Sequence, residues 1–183
     1  MPTLTLEALR QNPWNVLTHD LPADASPIQI GTEGAYQNKS FVVVGRIIYE
    51  YEQGGWNEWH LVFNDGSSGW LADAQLEYDV SWTSKPPTPL PGSDEIRQGQ
   101  TFQWNGATFQ VTSRTRAHYK GVQGELPFEY WDKSDVLFAD LRTTSADFGT
   151  IDYSGNPPLL FLGRAVEFDD LHLKNLREFE GWS

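Results

Sequence analysis

FVVVGRIIYEYEQGGWNEWHLVFNDGSSGWLAD, residues 41–73, decides the fold. Residues 41–51 carry Phe41, Val43, Ile47, Tyr49 and Tyr51 on one side and Val42, Val44, Arg46, Ile48 and Glu50 on the other. Apolar residues on both sides predict a central strand covered on both faces. Gln53-Gly54-Gly55 supplies the positive φ of a hairpin turn. The return strand over 57–63 alternates Trp59, Leu61 and Phe63 against Glu58 and His60. Asn64-Asp65-Gly66 signals a second turn, and Trp70-Leu71 opens a third strand. The stretch therefore predicts a three-stranded meander with tryptophan on one face.

Working outward, 85–91 holds Pro86, Pro87, Pro89 and Pro91. Proline at this density removes ladder donors and favours extended chain, so 83–95 reads as a linker. Beyond it the pattern restarts. Ile28 matches Ile96, Gly31 matches Gly99, Phe41 matches Phe109, Val43 matches Val111 and Arg46 matches Arg114, each pair 68 residues apart. A shift of one residue then aligns Glu58 with Glu125 and Asp73 with Asp140. The expectation is a tandem repeat. The first unit comprises 1–82 with a short N-terminal helix over 3–11. The second comprises 96–183 with a short helix after residue 170. The predicted fold class is mainly β: two related small barrel- or sandwich-like units with short terminal helices, packed through an aromatic core.

Composition agrees with a folded β protein. The chain has 183 residues, 39% hydrophobic and 14% aromatic, with 16 Gly and 11 Pro marking many turns. Net charge is −12, from 13 Lys+Arg against 25 Asp+Glu. No run of basic residues offers a footprint for phosphates, so nucleic acid is not expected as a partner, whereas a basic protein or a polycation is compatible. Cysteine is absent, which excludes disulfides, thiol catalysis and cysteine-ligated zinc. No stretch approaches the roughly 18 apolar residues of a membrane span, and the N-terminus lacks a signal-peptide pattern, so a cytoplasmic protein with no membrane insertion is expected.

The chemistry-bearing candidates are few. Arg46 and Arg114 sit on matched strands, followed by Glu58 and Glu125, and a cross-strand pair between Arg46 and Glu58 fits the alternation. Trp56, Trp59 and Trp70 cluster in the first meander, with Trp56 beside the glycine turn as the exposed one, and indoles stack sugars, bases or cations. These seven are the candidate ligand- or partner-binding residues. The histidines lack ligand spacing, and Asp132, Asp135 and Asp140 lack the glycine and closing glutamate of a calcium loop, so they read as a solvated acidic face and no metal is expected. No cofactor fingerprint, phosphate loop or nucleophile elbow is present, so no cofactor and no catalytic residue are assigned.

VGRIIYEYEQGGWNEWHLVFNDGSSGWLAD (44–73), FQWNGATFQVTSR (102–114), GELP (124–127), FADL (138–141), TIDYS (150–154) and FLGRAVEF (161–168) together resemble the bacterial family called domain of unknown function 4178. The resemblance covers residues 28–176 and carries no catalytic residues over. It implies a cytoplasmic, β-rich protein linked to membrane-stress (phage-shock-type) or polyamine-related systems. The expected role is a non-catalytic protein-interaction or assembly module. The alternative is a small-molecule or polycation binding protein, or an enzyme, with a site between the two halves.

Overall fold

In a computed structural model, residues 26–74, 76–127 and 135–177 are described, and they form ten strands and one short 3₁₀ turn. The meander of 41–73 is present as β2 (Lys39–Tyr51), β3 (Gly54–Phe63) and β4 (Ser68–Ala74). Gly54 (φ 144°) and Gly66 (φ 85°) take the conformations that their turns demand. β1 (Glu33–Tyr36) precedes this meander and β5 (Glu77–Ser84) follows it. The second run is β6 (Thr101–Trp104), β7 (Ala107–Gly124), β8 (Val136–Arg142), β9 (Asp147–Asp152) and β10 (Leu159–Val166).

All pairings are antiparallel. The sheet order is β1-β2-β3-β4-β5-β10-β9-β8-β7-β6, and β2 also pairs with β7. That extra pairing closes eight strands, β2 to β5 and β7 to β10, into a single barrel, with β1 and β6 as added outer strands. Each half therefore lacks a closed barrel of its own, and the closure needs both. Closure removes the open edges that either half would present to solvent.

The two runs use the same local geometry. Gly31 N–H bonds the Val43 carbonyl and Gly99 N–H the Val111 carbonyl, both at 2.8 Å. A β-bulge follows each, between Val43 and Gly45 and between Val111 and Ser113. Beyond the bulge the expected offset of 67 gives way to 80. Leu61 lies opposite Val43 and Leu141 opposite Val111, and Gly69 and Gly149 lie opposite those leucines. The long β7 and the connection after it account for the added residues. Glu58 thus stands at the position of Phe138 rather than of Glu125, and Trp70 at that of Thr150.

Register decides which side chains share a face. One side of the ring carries Ile47, Tyr49, Trp56, Glu58, His60, Trp70 and Asp79 from the first half. From the second half it carries Ala117, Tyr119, Phe138, Asp140, Arg142, Asp152 and Phe161. This side is the lumen, because Trp70 of β4 and Phe138 of β8, on opposite arcs of the ring, belong to one packed cluster. The outer sides form two further cores. Val43, Trp59, Leu61, Leu71 and Val80 pack under Ile28, Phe168 and Leu171. Val111, Leu141, Ile151 and Leu160 pack under Ile96 and Trp104, with Leu90 against them.

Leu61, Leu71, Val80, Val111, Leu141 and Ile151 have no exposed surface. Each such side chain contributes about 1.5–3 kcal/mol relative to exposure. The outer cores therefore carry much of the apolar stabilisation, and the lumen side holds polar groups beside its own aromatic cluster.

The proline-rich segment is fastened to the second half. Thr88 Oγ1 accepts from Trp104 Nε1 (2.8 Å), the Pro91 carbonyl from Tyr153 Oη (2.9 Å) and the Ser93 carbonyl from Arg114 Nη2 (3.2 Å). In place of a helix after residue 170, a 3₁₀ turn spans Phe168–Leu171, and Lys174 then bridges to Glu33. His172 at its C-cap is left-handed (φ 49°), which ends the turn before an α-helix can propagate. The predicted helix over 3–11 lies outside the described residues.

Both seams between the halves depend on glycine. A Cβ on Gly163 would run into the carbonyl oxygen of Val80, and one on Gly45 into that of Glu125. Gly121→Ala, by contrast, would place its methyl 3.9 Å from the tip of Ile48. Urea denaturation should show Gly163→Ala losing roughly 3 kcal/mol or more and Gly121→Ala changing by less than about 1 kcal/mol.

Candidate functional site

Two sets of contacts in the lumen tie the halves together. Trp56 packs edge-on against Phe138 at 5.7 Å, and Tyr49 meets the same ring at 5.2 Å. Tyr49 also stacks on Trp56 at 4.8 Å and on Tyr119 at 5.1 Å. Arg142 of β8 reaches Asp79 of β5 with both terminal nitrogens, at 3.3 and 3.4 Å, and lies 5.0 Å over the Phe148 ring. One zone of the lumen is thus aromatic and the other holds an ion pair.

Carboxylates stand around these contacts. Asp140 accepts from Thr150 Oγ1 (2.9 Å) and Ser113 Oγ (3.1 Å). Asp152 accepts from the Ser154 N–H at 2.8 Å. Glu58 accepts from Trp56 Nε1 at 3.1 Å. Burial pushes Glu58 up to about 8, with Asp79, Asp140 and Asp152 adding like charge and the indole N–H opposing. Burial likewise raises Asp79, against the pull of Arg142, and raises Asp152 against its Ser154 bonds. Glu58 is therefore mainly protonated at neutral pH.

Although it is ringed by neighbours, Glu58 keeps part of its surface open. So do Trp56, Asp79, Ser113, Thr115, Tyr119, Asp140, Thr150 and Phe161 on the same side. These lumen-side residues keep more exposure than the leucines of the outer cores.

The candidate residues read from sequence divide among three places. Trp56, Glu58 and Trp70 come together in the lumen, with Trp70 tilted against His60 at 5.2 Å. Trp56, expected to be exposed, is partly buried in the aromatic cluster. Arg46 and Trp59 lie on the outer side. There Arg46 Nε donates to Asn57 Oδ1 (2.8 Å), Nη1 reaches Gln123 Oε1 (3.4 Å), and the guanidinium sits 4.7 Å over the Trp59 ring. Arg46 lies opposite Trp59, and Glu58 lies opposite Ile47, so Arg46 and Glu58 point to opposite faces and the predicted pair does not form. Arg114 and Glu125 are exposed.

Asp79, Arg142, Asp140, Asp152, Tyr49, Tyr119 and His60 were missed as site residues. A charged residue within an apolar strand, as in LFADLR and GTIDY, is the signal that marks an inward-facing polar group. Asp140, read from sequence as part of a solvated acidic face, is such a group. Among the described residues no His, Asp and Glu cluster has metal-binding geometry, and no helix is long and apolar enough to cross a membrane.

Fold and site define a small closed antiparallel barrel with a polar and aromatic interior shared by two halves. The chain belongs to the family described as Domain of unknown function (DUF4178), whose profile matches residues 29–168. No curated protein and no solved structure matches the chain.

The Glu58 proton has a measurable consequence. Its acidity is near 4.5 in an ordinary setting and about 8 in the folded protein. The native state therefore holds the proton more tightly between these values, and its contribution to stability is full below about pH 4.5 and lost as pH rises through 8. Comparing urea stabilities at pH 5 and pH 9, the wild type should lose on the order of a few kcal/mol more than Glu58→Gln. Equal losses in the two proteins would remove the buried-carboxyl reading.

Proposed function

We propose that this protein is a non-catalytic binding module, working in the bacterial cytoplasm, that holds a small cationic ligand or polycation between its two halves. The observation that carries the reading is the convergence of rings and carboxylates from both halves on one partly open lumen. Aromatic faces attract ammonium groups, and carboxylates complete their coordination. Among the described residues one arginine, Arg142, stands there against Asp79, Asp140 and Asp152, with Glu58 as a further carboxyl able to ionise against a bound cation, so the local balance favours a cation.

The other expectation, an assembly module that docks a protein through its tryptophans, has less support. Trp56 and Trp70 face the lumen and Trp59 is buried in an outer core, and among the described residues the exposed large hydrophobics are Ile30 and Leu159. A protein partner in a membrane-stress pathway would have to be drawn by the charge of −12 instead.

The halves themselves read as duplicated copies of one five-stranded unit. Glu50 pairs with His118, 68 residues on, and Trp82 pairs with Leu162, 80 residues on. Each seam thus contains a pair formed by equivalent positions, as a two-fold axis through both seams requires. The ligand site lies between the copies.

A thermal-shift series with alkylammonium, diamine and polyamine salts tests the reading. A binding cation at about 100 times its Kd should stabilise the wild type by roughly 2.7 kcal/mol, read as a rise of several degrees in Tm. Asp79→Asn should lose most of that rise, and Glu125→Gln, on the exposed surface, should keep it. A Tm indifferent to every cation would end the proposal.

A further inference from the structure

The row Trp56, Glu58, His60 runs along the lumen side of β3 at alternate positions, about 6.7 Å apart. His60 is 7% exposed. Its Nδ1 lies 2.9 Å from the Glu125 carbonyl oxygen. A carbonyl can only accept, so Nδ1 carries the proton and donates. In the neutral ring Nε2 is then a lone-pair acceptor, and it has no hydrogen-bond partner. A buried polar atom left unpaired costs about 1–3 kcal/mol and asks for a partner.

Next along the row, Glu58 has one oxygen on the Trp56 N–H. Unlike Asp79, with Arg142, or Asp140, with two hydroxyls, it meets no cation and no hydroxyl within hydrogen-bonding distance among the described residues. Two acceptors thus sit on one strand face, between the Trp56 and Trp70 rings.

We infer that Glu58 and His60 form a recognition site for a primary or secondary amine, the ligand's N–H groups donating to the Glu58 carboxylate and to His60 Nε2. The inference rests on the cation-binding reading of the lumen and narrows it, because a quaternary ammonium has the charge and no N–H. On binding, the ammonium takes the place of the proton that Glu58 carries when empty. That proton passes to solvent, and the carboxylate keeps its N–H bond from Trp56.

The test compares 1,4-diaminobutane with tetramethylammonium on the full chain. Binding is followed by calorimetry and by the imidazole ¹⁵N resonances of His60. The diamine should bind, shift the Nε2 resonance and release a proton, detected as a dependence of the heat on the buffer's ionisation enthalpy. Tetramethylammonium should bind at least tenfold more weakly and leave Nε2 unmoved. His60→Phe, which keeps a ring against Trp70, should weaken the diamine by roughly tenfold, the worth of one hydrogen bond.

An unmoved Nε2 resonance with the diamine bound, or equal affinity for the two cations, overturns this inference and leaves the lumen reading in place. Failure of both cations to bind overturns both. The resonance is read on the wild type, so the test stands even if the variant does not fold.

Discussion

Everything distinctive about this molecule follows from one joint, the pairing of β2 with β7. Without it the ten strands would form an open, strongly curled sheet with one polar face. With it, eight strands close, and the face carrying Glu58, Asp79, Asp140 and Asp152 turns inward. The joint needs the close approach that Gly45 and Gly124 allow, since a Cβ on either would strike the facing chain's carbonyl. Closure takes charged groups out of water, and the price is visible in the raised Glu58, Asp79 and Asp152. The two outer cores, built from side chains with no exposed surface, stabilise the fold enough to tolerate that cost.

Much of the local structure was legible. The both-sided apolar run 41–51 is β2, paired with strands on each side, and the Gln53-Gly54-Gly55 and Asn64-Asp65-Gly66 signals fall at turns. Gly31 and Gly99, matched in sequence at an offset of 68, both take positive φ, and a bulge follows each. These features were readable because they depend on short-range rules, namely alternation, positive φ and turn chemistry.

What failed to come through was non-local. Alternation tells which residues of one strand share a face, but not how that face aligns with the next strand's. Arg46 and Glu58 were both even-numbered and were therefore taken as neighbours. The bulge at Val43 to Gly45 and the register of β3 set them on opposite sides. The same gap hid the lumen, because no local pattern says that β2 will meet β7 or that Asp79 will meet Arg142, 63 residues away. The offset of 67 failed for a related reason: the second half inserts its extra residues in and after β7, where chance identities such as Glu58 with Glu125 mimic a continued alignment.

The near-symmetry of the ring, combined with its unlike halves, has a consequence for recognition. A homodimer with a two-fold axis through its cavity must offer any lopsided guest two equivalent poses. Here Glu50 pairs with His118 and Trp82 with Leu162, so the positions that such an axis would relate hold different residues. Because 85–95 joins the two runs in one chain, the walls need not match, and an acid, Asp79, stands on one and a guanidinium, Arg142, on the other. On the binding reading proposed above, such a chamber would tell head from tail and give its guest one preferred direction.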